Sequence, residues 1–234
     1  MKTIYLIIVL TFQVTSNFAQ NDWFKLYSDA LSITKDADRI ARLFDEDVKK
    51  VYPDLGYSPR VELKTSPLLI YYGKDKIAYY PLWSEVPKEL QNWFYEIGGS
   101  ETDGKRIFAL FFNGFYLPHE LAHGFEDAMN NFKPSYHNEY FANKAAILWW
   151  RKHGYDEQLK ECYEYSKKIL AKTPNPAPEG QTAEDFFTEN YYAILESGNP
   201  YTYGYMQFNQ FVEIYEDQSL VDFDDFIGNY RVKN

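Results

Sequence analysis

The motif His119-Glu120-Leu121-Ala122-His123 lies near the middle of this 234-residue chain and is its most informative segment. The surrounding residues predict a helix from about Phe115 to Asn130, with Asn113 and Gly114 as its N-terminal cap. Residues four positions apart share one face of a helix, so the two imidazoles can share one metal ion. Neutral imidazole nitrogen is a preferred ligand of zinc. Glu120 follows the first histidine directly, so its carboxylate can reach a water at the ion without binding the ion.

A second predicted helix, from Tyr136 to Lys152 with Ser135 as its cap, supplies a candidate third ligand. A catalytic zinc needs three protein ligands and an open position. A short turn between the two helices brings Glu139, near the start of the second, back toward the histidines. Ala142 and Ala146 lie on the same stripe as Glu139, and small side chains there allow the helices to approach closely.

Asn143 lies one turn after Glu139 and therefore points the same way. Metal-bound histidines almost always donate their second N–H to an oxygen acceptor. The amide oxygen of Asn143 is thus predicted to accept from His119 or His123. The alternative is a polar residue that is satisfied inside the helix pair.

The pattern H-E-x-x-H, followed by E-x-x-A-N-x-x-A beginning at Glu139, resembles the gluzincin branch of the zincin metallopeptidases. The second half of the pattern is similar to ImmA/IrrE-type peptidases. The resemblance covers about residues 115–150 and implies a zincin-like fold and a thermolysin-like mechanism, with Glu139 as third zinc ligand. The sequence has no H-E-x-x-H-x-x-G-x-x-H extension, which argues against a metzincin.

The rest of the chain predicts an α+β fold that is mostly helical, with a small β-sheet preceding the HExxH helix. Two β-rich runs, 67–72 and 76–80, flank the turn-like Gly73-Lys74-Asp75 and predict a hairpin. The apolar run 106–112 is interpreted as a further strand. The remaining helices are expected at 22–32, 38–51, 84–96, 158–171, 183–196 and 206–216, with a proline-rich loop at 173–180.

A turn signal crowded with phenols runs from Asn199 to Tyr205. Hydrolysis of an amide needs a donor for the oxyanion that forms as water attacks the carbonyl, and a tyrosine hydroxyl can supply it. Tyr203 and Tyr205 are therefore candidate catalytic residues. Aromatic packing in a chain with 22 tyrosines is the alternative.

Four other features have simpler interpretations. His137 is a capping or surface histidine, a substrate-binding group or an alternative metal ligand. His153 is expected to interact with a helix dipole, and Cys162 to be a packed thiol. The acidic segment 222–225 lacks the spacing of an EF-hand and predicts the start of a helix.

Residues 1–19 are expected to be a signal peptide, because Lys2 precedes an apolar run that is too short to span a membrane. Residues 20–234 would then form one secreted or periplasmic domain with no stable membrane anchor after cleavage. The single cysteine cannot form an internal disulfide, which favours a bacterial setting.

The composition indicates a folded domain and disfavours one class of binding partner. Apolar residues make up 45% of the chain and aromatic residues 19%, which is enough to build a core. The net charge of −10 disfavours nucleic acid as a partner.

Three hypotheses of function follow from these residues. The first is a secreted zinc metallopeptidase that hydrolyses a peptide or protein substrate, with Glu120 as general base. The second is a non-enzymatic secreted binding protein on a zincin-like fold with structural or vestigial metal. The third is a chance motif in a helical adhesin-like module, which would bind no stoichiometric zinc.

Overall fold

A computed structural model of the chain describes residues 23–67 and 69–230. The predicted signal peptide lies outside the described residues. None of the described helices is both long and apolar enough to cross a membrane.

The described residues are mostly helical with one small sheet, which confirms the predicted α+β class. The helices are α1 (Ala30–Val51), α2 (Lys88–Gly98), α3 (Glu101–Leu110), α4 (Tyr116–Ala128), α5 (Tyr136–Lys152), α6 (Asp156–Leu170), α7 (Ala183–Ser197), α8 (Pro200–Glu216) and α9 (Phe223–Gly228). The strands are β1 (Arg60–Leu63), β2 (Tyr71–Tyr72) and β3 (Ile77–Tyr80).

The sheet has the strand order β1-β3-β2 and lies against α4. Strands β2 and β3 pair antiparallel, with Tyr71 opposite Tyr79, so the predicted hairpin is confirmed with a shorter first strand. Strand β1 pairs parallel to β3, with Arg60 opposite Ile77, and was not predicted. Only β3 is buried along its whole length, as expected of the central strand.

The predicted strand over 106–112 is wrong, because this segment is helical. Helix α3 begins after Ser100, whose side chain accepts a hydrogen bond from the backbone amide of Asp103. The apolar run that follows is buried against other helices, and a short run buried on all sides has no period that separates strand from helix. A turn of π-helix, Phe111–Phe115, joins α3 to α4, so Asn113 and Gly114 do not cap a helix.

The other helical predictions differ from the structure mainly at their ends. Helix α5 has the predicted bounds, and the Ser135 side chain accepts from the backbone amide of Asn138. A single helix, α1, begins after its cap Asp29 and includes the helix expected at 38–51. The helix expected at 22–32 is wrong over most of its length, because residues 23–29 are not helical. Ser84 lies in a short 3-10 turn, Trp83–Glu85, rather than at a helix cap.

The C-terminal helices also match the predictions, with one displaced start. Helix α8 begins at Pro200, with Asn199 as its cap, so the phenol-rich run is the first turns of a helix and not a loop. The acidic segment begins α9 as predicted, with Asp222 as the cap.

The core is built largely from aromatic side chains. Trp149 and Trp150 of α5 are buried at its centre, and Phe111 and Phe115 contact Phe211 of α8. A second, smaller cluster joins α5, α7 and α8 and consists of Tyr136, Phe187, Tyr191, Ile194 and Met206. The two clusters place α4, α5 and α8 around one buried polar region.

Candidate metal centre

Helix α4 presents the two motif histidines to the protein interior. His119 and His123 are 2% and 4% exposed, and their Nε2 atoms lie 3.2 Å apart. The rings are nearly perpendicular. Both Nε2 atoms therefore point to the same small volume.

Glu139, in the first turn of α5, completes the group. Its Oε2 lies 3.2 Å from Nε2 of His119 and 3.9 Å from Nε2 of His123. Ala142 and Ala146 are buried with essentially no exposed surface, as expected where α4 and α5 pack closely.

These distances fit a single metal ion. Two ligand atoms at zinc-like bond lengths and tetrahedral angles are about 3.3 Å apart, close to the observed separations. One ligand atom from each of His119, His123 and Glu139 lies within 4.8 Å of the others. The buried His-His-Glu group can therefore hold a metal ion.

Asn143 fixes the ring of His119. Its Oδ1 lies 2.8 Å from Nδ1 of His119, which leaves the lone pair of Nε2 free for a metal when Nδ1 carries the proton. The Nδ2 of Asn143 donates to the Oε1 atoms of Gln207 and Gln210, both at 2.9 Å. Both glutamine oxygens need a donor, so the Nδ2 group of Asn143 must face them. The Oδ1 of the same amide then faces His119.

His123 has a carboxylate partner that was not predicted from the sequence. Its Nδ1 lies 3.5 Å from Oε2 of Glu126, one turn further along α4. The Oε1 of Glu126 accepts from Asn138 at 2.7 Å and from Tyr230 at 3.0 Å. The i, i+3 spacing of His123 and Glu126 was a usable signal.

The charges of the group are strongly coupled. Burial lowers the pKa of His123, but hydrogen bonds with Glu126 and Glu139 outweigh burial and raise it to about 10. Burial raises the pKa of Glu139, but its hydrogen bonds with the two histidines hold it well below the usual range. Glu139 is therefore ionised and provides a negative charge for a cation.

Glu120 is buried beside the histidines but is not part of the His-His-Glu group. Burial raises its pKa above the usual value, against the opposing effect of His119 and His123. A backbone hydrogen bond from Tyr72 of β2 acts weakly in the lowering direction. A carboxylate with a raised pKa is a better proton acceptor than an ordinary surface glutamate.

Helices α7 and α8 supply two further partners of Glu139 that sequence spacing could not indicate. The Oη of Tyr191 donates to Oε1 of Glu139 at 2.7 Å. The Nε2 of Gln207 donates to Oε2 of Glu139, also at 2.7 Å. The side-chain amide of Gln210 donates to the carbonyl of Tyr136 and so ties α8 to the start of α5.

The two candidate tyrosines occupy different surroundings. The hydroxyl of Tyr203 accepts from Nε2 of Gln207 at 3.1 Å, and this nitrogen also binds Glu139. Burial, followed by the charge of Glu139, raises the pKa of Tyr203 well above its usual value. Tyr205 instead stacks on Phe187 in the smaller apolar cluster. The structure thus brings Tyr203 to the polar region and Tyr205 to the cluster beside it.

The remaining histidines and the cysteine lie outside the group. His137 is exposed, and its ring contacts Tyr136. His153 caps the C-terminal end of α5. An interaction with the helix dipole was predicted there, and the structure shows in addition a direct partner, since Nε2 of His153 lies 2.8 Å from Oδ2 of Asp47. Cys162 is a buried thiol, as predicted.

No family model, no curated protein and no solved structure matches this chain. The mostly helical chain and its buried His-His-Glu group, which could hold a metal, are compatible with a zincin.

Proposed function

We propose that this protein is a zinc-dependent peptidase of zincin-like fold. The observation that carries the proposal is the convergence of His119, His123 and Glu139 on one point, with the separate carboxylate of Glu120 buried beside it. Two imidazoles and one carboxylate are a donor set typical of catalytic zinc, whereas structural zinc is usually enclosed by four protein ligands. Within the described residues, the His-His-Glu group consists of three side chains rather than four.

Zinc bound here would polarise a substrate carbonyl and make a water molecule more acidic. Glu120 is suited to accept the proton of the attacking water and to return it to the leaving amine. Burial raises the pKa of Glu120, which makes it a better proton acceptor than an ordinary glutamate. Tyr203 is suited to donate its hydroxyl proton to the carbonyl oxygen, since that hydroxyl already accepts from Gln207.

The substrate class that fits this chemistry is a peptide or protein. If the predicted signal peptide is functional, the enzyme acts outside the cytoplasm. The net charge of −10 makes nucleic acid a poor substrate or partner.

The test is Glu120→Gln, with exposed Glu89→Gln of α2 as control. Each protein is purified in zinc and incubated with a mixed peptide library, and products are identified by mass spectrometry. Glu120→Gln is expected to retain zinc and to lose at least about 100-fold of the activity, within the usual contribution of a general base. Glu89→Gln is expected to cleave like the wild type.

Two outcomes would contradict parts of the proposal. Normal hydrolysis by Glu120→Gln would exclude this residue as the base. A wild-type protein that binds zinc but cleaves no peptide or protein would favour the second hypothesis, a binding protein with a structural or vestigial metal.

A further inference from the structure

The two oxygens of Glu139 are held by two different helices. Oε1 accepts a hydrogen bond of 2.7 Å from the hydroxyl of Tyr191 on α7. Oε2 accepts one of 2.7 Å from the amide of Gln207 on α8 and is also the oxygen that faces the two histidines. The carboxylate therefore presents one oxygen to the metal centre and has the other engaged elsewhere.

We propose that Tyr191 and Gln207 are positioning residues of Glu139: Gln207 orients the oxygen that faces the histidines, and Tyr191 holds the other oxygen away so that Glu139 stays a monodentate ligand. This inference rests on the proposed metal centre and adds to it a reason why the coordination stays open. A carboxylate that bound through both oxygens would occupy a second coordination position. Because a catalytic zinc needs one position that no protein atom fills, the hydrogen bond from Tyr191 to Oε1 preserves the vacant place.

Burial makes this hydrogen bond effective. Tyr191 and Glu139 are 5% and 6% exposed, so bulk water competes weakly for either partner. A hydrogen bond from a neutral donor to a carboxylate is also stronger than one between neutral groups. Rotation of Oε1 toward the metal would break this bond and leave a buried phenol unsatisfied.

The position of the Tyr191 ring does not depend on its hydroxyl. The ring belongs to the smaller apolar cluster, where α7 packs against α5 and α8. Removal of the hydroxyl alone therefore leaves the packing that orders this part of α7. Tyr191→Phe is for this reason a test of positioning rather than of folding.

Gln207 connects the same carboxylate to the first histidine. Its Oε1 accepts from Asn143, whose Oδ1 faces His119, and its Nε2 donates to Glu139. Since the carbonyl of Gln207 is committed to Asn143, only its amino group can face Glu139. The orientation of one imidazole and that of the carboxylate are thus set by one chain of hydrogen bonds.

The test uses cobalt in place of zinc, because the d–d absorption of Co²⁺ is intense in four-coordinate sites and weaker when the coordination number rises. Wild type, Tyr191→Phe and the neighbouring Tyr192→Phe are compared after loading with Co²⁺. Tyr192→Phe is the control, because Tyr192 is exposed on the same helix, α7, and its substitution also removes a phenol hydroxyl. Metal affinity is measured in parallel by competition with a chelator.

Tyr191→Phe is expected to bind Co²⁺ with weaker visible absorption, as Glu139 becomes bidentate. With zinc, its kcat for a peptide substrate is expected to fall about 10- to 100-fold with little change in KM. Tyr192→Phe is expected to match the wild type. Gln207→Met, which keeps the side-chain length but removes the donor, is expected to change the spectrum and to weaken metal binding about 10-fold or more.

The possible failures are distinguishable. If wild-type protein takes up no Co²⁺ or Zn²⁺, the metal centre and the proposed function are both wrong. If wild type binds the metal but Tyr191→Phe and Gln207→Met keep the wild-type spectrum and affinity, only the positioning role is wrong.

Discussion

Asn143 is the residue on which the buried polar region depends most directly. It has essentially no exposed surface and uses both ends of its amide, accepting at His119 and donating to Gln207 and Gln210. Its loss would release the His119 ring and leave two buried carbonyl oxygens without a donor. Both the metal affinity and the stability of the fold would then decrease.

Asn143→Ala is predicted to weaken zinc binding about 10- to 100-fold, since the second N–H of His119 loses its acceptor. It is also predicted to lower the free energy of unfolding by about 2–4 kcal/mol, because the buried glutamine carbonyls lose their donor. Chelator competition and urea unfolding measure the two effects. Asn209→Ala is the control, because this half-buried residue of α8 donates to Glu213 in a solvent-exposed hydrogen bond, and it should change neither quantity appreciably.

Residue spacing predicted only part of this centre. His119, His123, Glu139 and Asn143 lie on two consecutive helices, so helical periodicity was sufficient to bring them together. Tyr191 and Gln207 are separated from Glu139 by 52 and 68 positions. No local rule connects positions so far apart, because their proximity depends on how α7 and α8 pack against α5.

At the scale of elements, the junction between α3 and α4 was the hardest part to predict. The chain passes from α3 through the π-helical turn into α4 without a break, and the end of α3, most of the turn and most of α4 are buried. Helix α5 was predicted to its exact bounds because it has an explicit cap at Ser135 and a glycine, Gly154, just past its end. Burial on every side removes such signals, and 106–112 was accordingly assigned to the wrong class.

Gly114→Ala is predicted to destabilise the protein by about 1–3 kcal/mol, the usual cost of overfilling a packed core. A Cβ at Gly114 would lie 2.2 Å from Cδ1 of Phe24, whose ring is fully buried and has little room to move. Denaturant unfolding measures the change. At the control position, Gly204 of α8, a Cβ would have its nearest neighbour at 3.6 Å. Gly204→Ala should therefore be neutral or should stabilise the protein by up to about 1 kcal/mol. Equal effects of the two substitutions would contradict this view of the junction.

At the scale of the whole molecule, a buried carboxylate ties the first helix to the end of α5. Asp47 is 1% exposed and accepts from Nε1 of Trp149 at 3.0 Å and from Nζ of Lys50 at 2.8 Å. It also lies 2.9 Å from Nζ of Lys152 and 2.8 Å from Nε2 of His153. Burial raises the pKa of Asp47, but the hydrogen bonds from His153, Lys50 and Lys152 outweigh burial and hold the pKa far below its usual value.

Asp47→Asn is predicted to destabilise the protein by about 3–5 kcal/mol at pH 7, as expected when one partner of a buried ionic cluster is removed. Because folding lowers the pKa of Asp47, its contribution is complete above the unfolded-state value of about 3.9 and is lost as the pH falls below it. The difference between wild type and variant should thus be constant above about pH 5 and should shrink below about pH 4. Thermal unfolding of wild type and variant across this pH range measures the difference in stability. The exposed substitution Asp54→Asn is the control. A difference that grew toward acid would contradict the assignment.

The most direct test of the metal centre is the zinc content of the purified protein, prepared without chelator and dialysed against metal-free buffer. Wild type and His137→Ala, which alters an exposed histidine outside the group, are predicted to retain one zinc per chain. The double variant His119→Ala/His123→Ala is predicted to retain almost none while remaining folded by circular dichroism. A folded wild-type protein without zinc, or a double variant that keeps it, would contradict the existence of a metal centre at these residues.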